Sequence, residues 1–264
     1  MAFVTHEELA FVSGVIGNII GFLLFLAPLP TFYTICKKKT SEGFQSIPYV
    51  VALTSAILIL TYGLLKTNAI LLVTINSVGS VIEITYLAIY LFYASKKQRI
   101  LTLKLILINL GSYGLMMLIT ILLVKPSYRV SAVGWICAAF NLAVFAAPLS
   151  IMKRVITTKS VEYMPFSLSF FLTLSATTWF FYGFFTRDCF IAVPNVVGFL
   201  LGLAQIVLYL AYKNAKKDDE EKPPNGKGDT VEMIHTKAND NLHMEMNHYV
   251  CTCKHKKPNE NNFE

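Results

Sequence analysis

The chain has 264 residues, of which 55% are hydrophobic, 13% aromatic and 15% charged, where a soluble domain carries about 25% charged residues. That balance excludes an ordinary soluble enzyme. The net charge of +7 is not a nucleic-acid footprint either: from Leu9 to Tyr212 there are 14 Lys and Arg against four acids, whereas the last 52 residues hold nine bases and ten acids, which is the pattern of basic membrane loops followed by a balanced tail.

Crossing a hydrocarbon core about 30 Å thick takes roughly 20 mostly apolar residues, and a helix satisfies its own backbone there without water. Seven stretches qualify: 11–35, 47–65, 69–93, 101–124, 131–152, 166–185 and 190–212, with Glu83 and Lys104 the only charges inside them. The first is read as a retained span, not a cleavable signal, because no basic residue precedes it and Glu7 and Glu8 flank it. Ten bases follow spans one, three and five or start span four: Lys37, Lys38, Lys39, Lys96, Lys97, Arg99, Lys104, Lys153, Arg154 and Lys159. The opposite loops hold four, Lys66, Lys125, Arg129 and Arg187. Positive charge marks the cytoplasmic side, so the N-terminus is expected outside and the tail, 213–264, inside. Low hydrophobicity predicts a disordered tail. Its His248, Cys251, Cys253 and His255 match no standard zinc spacing, so no metal and no cofactor is expected. Cys36, Cys137 and Cys189 fall at different depths, and no disulfide is expected.

Self-comparison uncovers a repeat. Phe25 to Leu29 (FLAPL) resembles Phe145 to Leu149 (FAAPL), and Tyr62-Gly63 resembles Tyr182-Gly183, both at an offset of 120. Asn76 pairs with Asn195, and Tyr90 to Tyr93 with Tyr209 to Tyr212, at 119, while Pro48 and Pro165 differ by 117. The predicted fold class is an all-α membrane protein of seven transmembrane helices, built as two parallel three-helix repeats joined by a linker helix. Residues 11–93 form the first repeat, 101–124 the linker and 131–212 the second repeat. A unit of three helices ends on the side opposite its start, so one linking helix lets the second enter in the same orientation.

The segments FLAPLPTF (Phe25 to Phe32), GFQSIPY (Gly43 to Tyr49), Thr74-Ile75-Asn76, FAAPLSIM (Phe145 to Met152), SVEYMPF (Ser160 to Phe166) and Pro194 to Gly198 (PNVVG) resemble the SWEET sugar facilitators of plants, over about residues 10–213. Parallel repeats are described for that family. The resemblance implies a bidirectional, gradient-driven uniporter of sucrose or hexoses, working by alternating access, and is nearest to the sucrose-transporting clade. A plasma-membrane location is expected. The partners implied are a small sugar (sucrose, glucose or fructose) and membrane lipid, without nucleic acid; assembly as a homo- or hetero-oligomer is left open.

A neutral polyol needs hydrogen-bond partners and an aromatic face, with no strong ionic anchor. At 1.5 Å per helical residue, Gly21, Ser55, Asn76, Asn141, Ser175, Trp179 and Asn195 share one depth near mid-bilayer. Asn76 and Asn195 occupy matching positions, and each amide can donate and accept; the alternative is that they bond neighbouring helices. Trp179 is set too deep for an interfacial belt and is expected to stack on sugar. Two positions depart from the family: Ile59 stands where a second Trp is usual, and Asn141 where sucrose-transporting relatives usually carry Ser, although Val144 resembles them. Pro28, Pro48, Pro148 and Pro165 are placed at cytoplasmic span ends, where proline loosens a helix; the resemblance implies a hinged gate, the alternative being simple helix starts. Tyr62, Tyr182 and Asp188 are candidates for an outer gate. Glu83, an intramembrane acid, has Gly202 as its counterpart and no evident basic partner, and is read as a hydrogen-bonded structural residue instead of a proton relay.

The competing class is a seven-helix receptor coupled to G proteins. The repeat, the Ala94-Ser95-Lys96 end of span three and the absence of Asn-Pro-x-x-Tyr in span seven oppose it. The span at 190–212 has no Lys for retinal, and no nucleophile, metal cluster or carboxylate pair suggests an enzyme.

Overall fold

A computed structural model describes residues 5–161 and 164–213. The tail from residue 214, with the His and Cys residues named above, lies outside the described residues.

Nine α-helices make up the seven spans among the described residues, because two spans are broken. The first consists of α1 (His6–Leu26) and α2 (Leu29–Lys38); α3 (Ile47–Leu65), α4 (Ile70–Tyr93) and α5 (Lys96–Leu123) follow. A short 3-10 turn, Pro126–Tyr128, leads into α6 (Arg129–Val144) and α7 (Ala146–Thr158), which together form the fifth span. The last two are α8 (Phe166–Phe185) and α9 (Cys189–Tyr212).

Hydropathy placed several span ends too far inward, and capping explains the difference. Thr5 and Glu8 form a reciprocal capping box, with Glu8 N donating to Thr5 Oγ1 at 3.2 Å and Thr5 N to Glu8 Oε2 at 2.8 Å. This satisfies orphan donors at the helix start and brings the polar His6, Glu7 and Glu8 into α1. Ser95 and Gln98 make the same box for α5, so Lys96, Lys97 and Arg99 belong to its first turns, not to a loop. The ends of spans one and five also move, to Lys38 and Thr158. The last turn of α2 carries Lys37 and Lys38, and α7 carries Lys153 and Arg154 a turn before its end; their long stems let apolar surface stay covered while the charge reaches water.

The repeat is written in the backbone as well as the residues. Four non-glycine residues among the described residues have positive φ: Lys39 at 53° and Lys159 at 50°, then Asn68 at 58° and Arg187 at 53°. They fall in matching places, ending α2 and α7 and preceding α4 and α9. Close helix crossings also recur. A Cβ on Gly63 would lie 3.1 Å from Val73, and one on Gly183 would lie 2.7 Å from the backbone nitrogen of Ala192. A Cβ on Gly79 would collide with the Phe25 ring, and one on Gly198 would stand 3.1 Å from Phe145. Small residues at such crossings let helix backbones approach in lipid, where hydrophobic driving force between helices is absent.

Within each unit α4 packs on α1 and α3, and α9 on α6 and α8. The units meet along two seams, α1 against α8 and α3 against α6. The linker α5 lies outside, against α3, α4 and α6, and its Leu107, Ile108, Leu110, Leu122 and Leu123 are exposed as lipid-facing side chains should be. It is fastened to α3 by a polar ladder: Ser46 with Thr102 at 2.7 Å, Asn109 donating to Thr54, and Thr61 with Tyr113 at 2.8 Å.

Candidate functional site

The end of the bundle expected to face outside is joined by groups from both repeats. Asp188 N-caps α9, its Oδ1 accepting from Phe190 N at 3.0 Å and Ile191 N at 3.3 Å. Its Oδ2 accepts from the Tyr62 hydroxyl at 2.8 Å and from the Lys66 ammonium, both on or next to α3. The Asp188 side chain is fully buried, while Lys66 keeps 25% exposure. A buried carboxylate needs such pairing, since its desolvation is otherwise uncompensated, and the positive end of α9 adds to it. Beneath this latch Tyr62 and Tyr182 join Leu58, Leu72, Val133, Cys137 and Ile191 in one buried cluster. The three residues expected at the outer gate are thus brought together. Lys66 was missed, although Asp188, the one acid in the loops that hold only four bases, was a signal that could have found it.

One level deeper stand the candidate sugar residues. Asn76 donates to the Leu72 carbonyl at 2.8 Å and Asn195 to the Ile191 carbonyl at 2.7 Å. Each spends one N–H on its own helix, four residues back, so both amides are fixed in one rotamer with the same groups to spare. Pro194, next to Asn195, removes the backbone donor that would reach Phe190. The two amides stand on α4 and α9, in different repeats.

Trp179 fits into a notch on α1: a Cβ on Gly17 would lie 2.9 Å from its indole Cε2. Its ring also meets Tyr182 edge-on, with centroids 5.4 Å apart at 74°. The side chain is half-buried against the same buried cluster, as is Ile59. Opposite Gly17, the second repeat has Cys137, whose thiol donates to the Leu58 carbonyl at 3.3 Å. An aliphatic side chain at position 59 and a thiol at 137 therefore replace an aromatic ring over a glycine.

Ser55 and Asn141 do not stand free. The Ser55 hydroxyl donates to Asn141 Oδ1 at 2.8 Å, and Asn141 Nδ2 donates to the Cys137 carbonyl at 2.9 Å. They tie the α3/α6 seam together. At the other seam the matching residues are Ser175 and Gly21, and a Cβ on Gly21 would touch Ile75 at 3.1 Å. Val144, half-buried, is the last residue of α6, just above the break. Asn18, which the sequence did not single out, donates to the Gly14 and Leu71 carbonyls at 2.9 Å and accepts from Thr74 at 2.9 Å, pinning α1 to α4.

The prolines are not all where expected. Pro28 caps α2, and Pro148 is the third residue of α7. Since the spans run on to Lys38 and Thr158, these two lie about 15 Å inside the span ends at 1.5 Å per residue. Pro48 is the second residue of α3, whereas Pro165 caps α8. Each sits where a missing N–H is tolerated. Glu83 is buried at 3% exposure, and its Oε2 has no hydrogen-bond partner among the described residues, so the hydrogen-bonded role expected for it is not what is seen.

A family model described as sugar efflux transporter for intercellular exchange matches residues 11–98 and 131–217. Bidirectional sugar transporter NEC1 of Petunia hybrida is 58% identical over 222 residues, covering 84% of each chain. Bidirectional sugar transporter SWEET9 of Arabidopsis thaliana is 56% identical over 218 residues, covering 82% of this chain and 84% of the relative. A eukaryotic SWEET transporter solved at 3.7 Å aligns with a TM-score of 0.75 at 34% identity, over 79% of this chain and 99% of that one. With a match over each three-helix unit and relatives more than half identical along most of its length, this integral, multi-pass membrane protein belongs to the SWEET family of sugar efflux transporters for intercellular exchange.

Proposed function

We propose that this protein moves sucrose or hexoses down their gradient, in either direction, by alternating access, with Asn76 and Asn195 holding sugar hydroxyls and Trp179 offering an aromatic face. The observation that carries this reading is the pair of asparagines held alike on the two repeats, one level beneath an outer latch that both repeats build. Ser175 adds a hydroxyl on the α1/α8 side, while Ser55, Asn141, Val144 and Ile59 form the opposite wall. Pro28, Pro48, Pro148 and Pro165 ring the cytoplasmic gate, and Tyr62, Tyr182 and Asp188 serve as the outer gate. The proposed organisation is a first repeat at 11–93, a linker at 101–124, a second repeat at 131–212 and a cytoplasmic tail, with the N-terminus outside and the protein in the plasma membrane.

Purified protein in liposomes tests the activity. Labelled sucrose and glucose should equilibrate and exchange against unlabelled sugar from either side. Accumulation above the external concentration in an acid-outside gradient, abolished by a protonophore, would overturn the uniporter reading.

A further inference from the structure

We infer, resting on the transport reading above, that the two inner legs of this transporter are unequal: α2 is clamped in place by Phe32 and Tyr86 as positioning residues, and α7 alone carries the cytoplasmic swing.

The first leg is held at every level. Phe32 stacks flat on Tyr86 with ring centroids 4.2 Å apart at 8°, and meets Tyr49 edge-on at 4.9 Å. Parallel and edge-on ring contacts each add to simple area burial. Phe32, Ile35, Tyr86, Tyr90 and Ala94 form one buried cluster joining α2 to α4. The break itself is stapled: Pro28 has no N–H to give the α1 end, Ala27 N donates to the Leu24 carbonyl at 3.2 Å, and the Tyr86 hydroxyl donates to the Phe25 carbonyl at 3.0 Å. Below the leg, Tyr90 donates to the Phe44 carbonyl at 3.1 Å and Ser41 N to the Tyr93 carbonyl at 3.2 Å. The linker helix closes the set through Ser46 with Thr102 and Ser41 with Gln98.

The second leg has the same outline with different chemistry. At the repeat offsets Phe32 becomes Met152 and Tyr86 becomes Gln205, so neither member of the stack has a ring. Gln205 has no phenol to reach the break either. That break is a single residue, Phe145, which ends α6 and starts α7 at φ −66° and ψ −8°. Val155, like Ile35, is fully buried, so the leg is seated on α9 by apolar contact that methionine can re-form in several rotamers. The linker helix buttresses the first unit at this level.

Because alternating access needs the cytoplasmic halves to separate and meet while the outer latch does the reverse, one pliant leg against one clamped leg is sufficient. A spin-label experiment on the full chain in lipid discs tests this with matched pairs. One pair is the exposed native Cys36 on α2 with Ile84→Cys on α4; the other is Ile156→Cys on α7 with Leu203→Cys on α9, the remaining cysteines being replaced. Tyr62→Phe, which loosens the outer latch, is used with sucrose or glucose to shift the equilibrium. The α7 pair should change its distance distribution and the α2 pair should stay within its starting width. A shift of the α2 pair equal to or larger than that of the α7 pair overturns the proposal, as does movement of neither in a protein that transports sugar.

The second arm transplants the clamp. Met152→Phe with Gln205→Tyr should cut sugar exchange at least tenfold at equal surface abundance while narrowing the α7 distribution. Full exchange together with a narrowed distribution refutes the swing. If that double variant does not fold, the label pairs in the parent protein decide. A parent that moves no sugar counts against the transporter reading instead, and the two pairs still tell which leg yields when the latch is opened.

Discussion

Removing one hydroxyl from the outer latch should open that end by an amount set by the bond it makes. Tyr62 donates at 2.8 Å to Asp188, a carboxylate whose side chain is fully buried and which also holds Lys66 and two backbone amides of α9. A hydrogen bond to a charged group contributes about 1.5 to 3 kcal/mol net. Tyr62→Phe keeps the ring in its cluster and deletes only this bond, so the ratio of outer-open to outer-closed protein should rise about 10- to 100-fold. The chain carries its own reporter. Cys137 lies in the cluster below the latch, 4% exposed, with its thiol bonded to the Leu58 carbonyl. In a Cys189→Ser background, a membrane-impermeant maleimide applied from outside should label Cys137 slowly, and Tyr62→Phe should raise that rate by the same factor. Asp188→Asn should raise it further, because Lys66 then loses its counter-charge. A rate unchanged within twofold in both variants would mean that Tyr62 and Asp188 do not hold the outer end shut.

Three further outcomes are expected. Gly183→Ala puts a Cβ 2.7 Å from backbone that cannot move aside, which should destabilise the α8/α9 pair by about 1 to 3 kcal/mol; Gly111→Ala on the lipid face has open space and should leave the detergent melting temperature unchanged. Asn76→Ala and Asn195→Ala should each weaken sugar binding about 10- to 100-fold at equal surface abundance, since a polar group the sugar buries loses its partner, at about 1 to 3 kcal/mol; titration of purified protein measures it, and near-normal affinity in both would move the site elsewhere. If position 59 lines the proposed site, Ile59→Trp adds a second stacking surface there and narrows it, so the ratio of sucrose to glucose flux should change more than total abundance does; an unchanged ratio would show that position 59 does not face the sugar.

The span count, the all-helical class and the doubled three-helix plan were legible in the sequence because they rest on local, additive properties. Roughly 20 apolar residues either cross a bilayer or do not, and Tyr62-Gly63, Asn76 and the Phe25 to Leu29 motif recur at nearly constant offset whatever their neighbours are doing. The matched placing of Asn76 and Asn195 on their own helices follows from the same register. What hydropathy did not carry was any choice of partner. Thr5, Glu8, Ser95 and Gln98 lengthen two helices through hydrogen bonds that an average over apolar character ignores. Only the packing of α3 against α6 makes Ser55 and Asn141 partners across 86 residues of chain, and only the approach of α9 to α3 gives Asp188 the ammonium of Lys66, 122 residues earlier. The inequality of the legs has the same origin: Met152 and Gln205 look like conservative apolar and polar fillings in one dimension, and become a missing aromatic stack once α2 and α4 are seen face to face. Composition determines which segments leave water; the side chains at each helix crossing determine what they meet when they arrive.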